Sequence, residues 1–472
     1  MLRAAFCILA LLASTPPAFA ATPIDGSALS LLWCIPFAGI LLSIAILPLA
    51  APTFWHHSYG KVAAFWSAAV LAALALGQGP APTMQALGHT VLEEYLPFIV
   101  LLFALYTIAG GILVTGGLRG TPATNAGILA TGTFMASFVG TTGASMILIR
   151  PLLRANEPRR HKAHVVMFFI FLVGNIGGAL SPLGDPPLFV GYLRGVDFFW
   201  MLHNIWLQTL LVSVIVLAIF IAVDWYFWRK EKKSFRTTTD KPVHLRIRGG
   251  INFVLLALVI VTIVLSGAWG TELRIPALGI GVNAAVRDVV LVVIALTSLW
   301  LTPNEHRAAN GFTWEPIREV AILFAGIFIT IIPAIAILQA GRDGAFAWLL
   351  QAVTYDDGLP HEVAFFWLTG ILSAFLDNAP TYLVFFELAG GDAEKLMGPL
   401  AGTLAGISMG AVFMGALTYI GNAPNFMIYA IARERGVGMP AFFGYMFWAC
   451  VVLLPVFVLL TLLPTAPVFR SP

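Results

Sequence analysis

Two aspartates and a few amides stand where apolar stretches should carry no polar side chain. Asp185 lies in Ser181-Pro182-Leu183-Gly184-Asp185-Pro186-Pro187, and Asp377 in Phe375-Leu376-Asp377-Asn378-Ala379-Pro380-Thr381. A third break, Gly421-Asn422-Ala423-Pro424-Asn425, carries amides without an acid. A carboxylate at the centre of a bilayer costs at least about 2.5–3.5 kcal/mol, so such residues face an interior path and mark ion or substrate routes. Pro186 also biases Asp185 away from helical geometry, which frees nearby carbonyls to coordinate a cation. The alternative for each aspartate is to cap a half-helix through its N–H groups, and the two roles can coexist.

The amides Asn175, Asn378, Asn422 and Asn425 and the hydroxyls Thr141, Thr142, Ser145, Ser181, Thr381 and Thr418 fall at or near the same breaks. Hard oxygen donors of this kind suit sodium or lithium better than nitrogen or sulfur would. Asn378 and Asn422 stand out because each abuts a break and an acidic or glycine neighbour; the others read first as hydrogen bonders at helix tips and only second as ligands. The candidate ion-binding set is Asp185, Asp377, Asn378, Asn422, Thr381, Ser181, Asn175, Asn425 and Thr142. Within it Asp185 and Asp377 would hold a transported sodium or lithium ion in exchange with protons, not a structural metal. His161 and His164 are weak evidence for a metal site, and Glu93 and Glu94, at the outer end of a span, read as solvated.

The elements that must carry these residues follow from composition. Of 472 residues 59% are apolar and 10% charged, with a mean hydropathy of +0.90, whereas a soluble domain is about 25% charged. Apolar stretches of membrane-spanning length, about 17–25 residues, recur along the chain. The fold expected is an all-α polytopic membrane protein. Cysteine is limited to Cys7, Cys34 and Cys450, which suggests neither a disulfide framework nor a metal site. No phosphate-binding glycine loop with lysine, serine nucleophile elbow or zinc signature is present, so an ATP-driven pump is excluded and neither enzymatic activity nor a cofactor is expected. The basic loops would lie against anionic lipid, which leaves nucleic acid without support as a partner.

Residues 1–20 read as a cleavable signal peptide: Arg3, an apolar stretch from Ala4 to Ala13, and the small-x-small pattern Ala18-Phe19-Ala20. An uncleaved first helix is the alternative, and both place residue 25 outside. Spans are expected at 29–50, 61–77, 95–118, 164–193, 203–227, 251–267, 286–302, 317–339, 397–432 and 441–464. The interrupted segments 121–149 and 361–390 read as re-entrant helical hairpins. With residue 25 outside, 19 Lys and Arg fall on the inner side and 6 on the outer side, the bias expected of an inner membrane protein with a periplasmic N-terminus.

In that topology the first hairpin enters from inside and the second from outside. Leu102-Phe103-Ala104 precedes the first hairpin and Leu323-Phe324-Ala325 the second. Two inverted repeats are therefore expected, 29–227 and 251–464, each with a hairpin and a broken span, joined by a basic cytoplasmic linker at 228–250. Such repeats place a site near the midplane at their interface. Gly174, Gly177 and Gly178, and Gly402, Gly406, Gly410 and Gly415, follow the small-xxx-small spacing of closely packed helices.

At SPLGDPP (181–187), LDNAPT (376–381) and YIGNAPN (419–425) the chain resembles the ion transporter superfamily. Nearest are sodium/proton antiporters of the NhaD type and the citrate transporters of the CitMHS group, with arsenite permeases more distant. The resemblance covers about 29–464. It implies an elevator-type fold with scaffold and transport domains, a homodimer, and Asp185 and Asp377 as ion-binding carboxylates with Asn378, Thr381 and Asn422 lining the site. The first tip, Thr141-Thr142-Gly143-Ala144-Ser145, departs from the Ser-Asn-Thr tip of the dicarboxylate branch and lacks an acid. Two carboxylates without a tip arginine or lysine would repel a polycarboxylate and attract a cation, which favours sodium or lithium/proton antiport. Citrate or metal–citrate transport with protons is the alternative, arsenite permeation a weaker one. A channel or a membrane scaffold is the reading from another class.

Overall fold

The computed structural model describes residues 24–231, 246–269, 281–355 and 359–462, with Leu273 and Ile275. The expected signal peptide and most of the basic linker lie outside the described residues. Eight helices among those described are long and apolar enough to cross a membrane, nine if the bent pair Glu315–Thr330 and Ile332–Gln339 is one span. The chain is a helical, multi-pass membrane protein.

The breaks fall where proline and glycine place them. The first hairpin is Pro122–Val139 and Thr141–Ala155, separated by Gly140 at φ +82°, a left-handed conformation that glycine adopts without steric cost. The second is Glu362–Phe375 and Asn378–Leu388. In each, the two arms pack against one another. The first broken span runs Ala163–Leu172, a short 3-10 turn Ile176–Leu180, a second turn between extended Ser181 and Asp185, and Pro186–Leu193. The second runs Ala401–Met414, a turn Gly415–Leu417, a bend between extended Thr418 and Asn422, and Ala423–Glu434. Burial makes these breaks tolerable: the most apolar window of Ala163–Leu180 is 83% buried, that of Leu31–Ala50 only 17%. Open backbone survives at membrane depth only inside protein or beside a water-filled cavity.

Three expectations need correction. The span expected at 61–77 is a longer helix, Pro52–Gly77, because the polar run before Lys61 continues it. The span expected at 95–118 stops at Gly110, and Leu113–Thr115 then pairs antiparallel with Arg246–Arg248, a small ribbon in a chain expected to be all helical. Glu94 is buried, in a π-helical turn with Glu93, and His89 lies 3.5 Å from Glu93 and 3.7 Å from Glu94; the two acids are not simply solvated.

The chain forms two compact units, each drawn from both halves of the sequence. The first comprises 1–104, 259–294 and 317–348. Its interior holds Phe98 stacked on Phe324 at 4.7 Å, and Gly326 closely apposed to Ile40 and Ala63. The second comprises 105–258, 295–316 and 349–472, and contains both hairpins and both broken spans. There Glu362–Phe375 packs tightly on Ala401–Met414: a Cβ on Gly410 would come within 2.4 Å of the Phe366 carbonyl oxygen. The glycine spacing read from the sequence is close packing of this kind.

Candidate functional site

Within the second unit, both breaks are built by corresponding contacts. Ser181 Oγ donates to the carbonyl of Ser137, and Thr418 Oγ1 donates to the carbonyl of Ala374 at 2.5 Å, each across 44 residues. Ser137 Oγ donates to Gly177 O and Ser373 Oγ to Ala411 O, at 2.5 and 2.6 Å. Gly184 lies against Gly178, and Gly421 against Gly415, so closely that a Cβ would fall 2.1 and 2.6 Å from the facing carbonyl oxygen. Hydroxyls and glycines thus satisfy and compact the open backbone, leaving longer side chains to meet at the centre.

Asp185 is that centre. Its backbone is extended at φ −143° and ψ 143°, and its side chain makes no capping bond to the helix that follows. The carboxylate is 1% exposed. Thr141 Oγ1 and Asn422 Nδ2 both donate to Oδ1 at 2.9 Å, and Asn378 Nδ2 donates to Oδ2 at 2.5 Å. These donors come from both hairpin tips and the second break. Asn422 Nδ2 also approaches Asn175 Oδ1 at 3.2 Å, Asn175 Nδ2 donates to Asn425 Oδ1 at 2.7 Å, and Asn425 Nδ2 donates to Gly415 O and Thr418 O at 2.8 and 3.0 Å. An amide chain therefore runs from Asp185 into the second break.

Asp377 plays a different part. Its Oδ1 accepts from Ala379 N at 3.2 Å, capping Asn378–Leu388, and Thr381 Oγ1 donates back to Asp377 O at 2.9 Å. Neither aspartate forms an ion pair among the described residues. Thr142 makes no side-chain hydrogen bond there; its neighbour Thr141 holds Asp185, because Gly140 sets the turn and Thr141 N bonds to Gly184 O at 2.8 Å.

Two features decide what the centre can bind. The Oδ1 atoms of Asn378 and Asn422 are buried and have no hydrogen-bond partner among the described residues, while their Nδ2 atoms are committed to Asp185. Such oxygens beside a carboxylate are suitable donors for a hard cation. Further, four helices start here, Thr141–Ala155, Pro186–Leu193, Asn378–Leu388 and Ala423–Glu434. Each N-terminus carries about half a positive charge, so together they offset roughly two carboxylates and leave the centre near neutrality. No cluster of three His, Cys, Asp or Glu suited to a metal occurs among the described residues.

One polar cluster was missed from the sequence. Asp224, inside the helix Trp206–Lys230, accepts from Arg159 Nη2 and from Asn125 Nδ2, and lies 2.8 Å from His164 Nε2. Arg159 and Asp224 are fully enclosed. An acid in an apolar span was the available signal. His164 thus belongs to a buried fastening between the first hairpin, the first broken span and this helix.

A family model described as "Putative citrate transport" matches residues 26–464. No curated protein matches the chain.

Proposed function

Because the chain belongs to the citrate-transport family, we propose that it carries citrate across the membrane together with a cation, both held at the Asp185 centre and coupled to proton movement. The observation that carries this reading is the Asp185 shell: amides and a hydroxyl, with two amide oxygens unpartnered and no cationic side chain bonded to the carboxylate among the described residues. The helix N-termini offset the aspartates but leave nothing over for a trianion. At an effective dielectric of 20 two like unit charges 4 Å apart repel by about 4 kcal/mol. A metal ion between Asp185 and citrate turns that repulsion into two attractions. Protons compete with the cation for the same carboxylates, which couples their fluxes without a second energy source.

The alternating-access apparatus is part of the same proposal. The two halves are inverted repeats, a reading supported by the bonds repeated at the same 44-residue separation in each half and by the tips and breaks of both meeting at one carboxylate. The unit that holds the site is the transport domain and the other the scaffold of an elevator-type homodimer, set in the inner membrane with the N-terminus periplasmic. Sodium or lithium/proton antiport without citrate is the second reading, favoured by the same oxygen-only donor set.

Purified protein in vesicles, with labelled citrate outside and a pH dye inside, separates the two. Citrate uptake that needs a metal ion and moves protons is the expected result. Proton movement on sodium or lithium pulses with no citrate flux would establish the antiport reading instead.

A further inference from the structure

Two of the helices that begin at Asp185 end in arginines that lie close together. Thr141–Ala155 carries Arg150 and Arg154, roughly 14 and 20 Å along its axis from the tip; Ala423–Glu434, roughly 18 Å long, is followed by Arg435. The helices pack against one another, and Arg150, Arg154 and Arg435 all lie within electrostatic reach of each other. Like charges gathered in this way repel, and the nearby acid, Glu434, offsets only one of the three.

Arg150 is the telling residue. It is half-buried, yet its guanidinium makes no hydrogen bond or ion pair among the described residues. It packs against Gly311, whose φ is +59° and where a Cβ would fall 2.3 Å from Arg150 Nη2. Arg154 spends one nitrogen on the Val114 carbonyl at 2.8 Å, and Arg435 is exposed. A cradled, unpaired guanidinium with two more beside it suits a ligand carrying several carboxylates, because the planar fork of arginine matches a carboxylate with two parallel hydrogen bonds.

We propose that Arg150, Arg154 and Arg435 form a second binding site, an anion vestibule for a polycarboxylate at the far ends of the two helices that start at the Asp185 centre. It rests on the citrate reading above, and it supplies the cationic recognition that the centre lacks: cargo is captured by its carboxylates at the vestibule and passes to the centre with its cation. On the sequence bias this face is cytoplasmic.

The test is protection from phenylglyoxal, which modifies free guanidinium groups, read peptide by peptide by mass spectrometry on the full-length protein in neutral detergent. Metal-free citrate should protect Arg150 and Arg435 together and leave Arg342 unprotected, and acetate at equal ionic strength should protect none of them. Arg435→Gln, at an exposed position, should raise the citrate concentration for half-protection of Arg150 about tenfold, the loss of one hydrogen bond to a charged group. Equal modification with and without citrate would overturn the proposal. So would protection by phosphatidylglycerol vesicles and not by citrate, which would make the cluster a lipid headgroup site. Protection without citrate flux in vesicles would leave the vestibule standing and remove the transport reading; flux without protection would do the reverse.

Discussion

At the scale of single residues the account turns on the different duties of two aspartates. Asp185 has no capping bond but accepts on both oxygens from donors of three elements, so Asp185→Asn removes the charge and leaves one buried donor without its acceptor. Loss of a carboxylate about 4 Å from a cation, at an effective dielectric of 20, weakens binding by about 4 kcal/mol, on the order of a thousandfold. Cation titrations of citrate uptake should show that loss, with folding in detergent weakened by no more than about 1–3 kcal/mol, the cost of one buried donor left unmade. Asp377→Asn keeps a good N-cap, so the fold should persist; a cation affinity reduced at least about tenfold would make Asp377 a ligand, and unchanged affinity would make it a cap alone. The candidacy of Asp185, Asn378 and Asn422, which the structure brings together, was legible because each is polar beside a proline or glycine break in an apolar run. The choice of Thr141 over Thr142 was not, since it depends on the one-residue register set at Gly140.

At the scale of elements, the paired breaks are held by backbone contact so close that only glycine fits. Gly184→Ala and Gly421→Ala should each destabilise the protein by about 1–3 kcal/mol, the range for overpacking, because each Cβ would press on a carbonyl oxygen. Gly88→Ala, inside the helix Pro80–His89 with nothing within 4 Å, should stabilise by about 0.5–1 kcal/mol. Melting curves in one detergent compare all three directly. Equal melting of Gly184→Ala and Gly88→Ala would show that the first break relaxes freely. Hairpins and broken spans were readable from proline, glycine and polar punctuation of long apolar runs. Helix ends were less so: His56, His57, Ser58 and Lys61 look like a loop by composition yet continue a helix, since no proline falls among them and the single Gly60 weakens a helix without ending it. Asp224 escaped notice because no proline or glycine flags it, and only its buried partners reveal its role.

At the scale of the molecule, the sequence bias and the proposed inversion make a joint demand on topology. Single cysteines placed at Lys230 and at Gly391 should be labelled from opposite sides of the membrane, Lys230 from the cytoplasm. Labelling of both from one side would break the inverted arrangement and the assignment of the arginine vestibule to the inner face. The two compact units, each assembled from both halves of the chain, could not be read from the linear order of spans, because they depend on contacts between segments more than 200 residues apart, such as that of Asn175 with Asn425. The central claim is that citrate travels with a cation held by Asp185. Its most direct test is labelled citrate uptake into vesicles over a metal-ion series, for the parent protein and Asp185→Asn. The account predicts uptake that rises with metal ion in the parent and that needs on the order of a thousandfold more metal ion in the variant. Citrate uptake by Asp185→Asn at the parent rate, or uptake by the parent indifferent to metal, would contradict it.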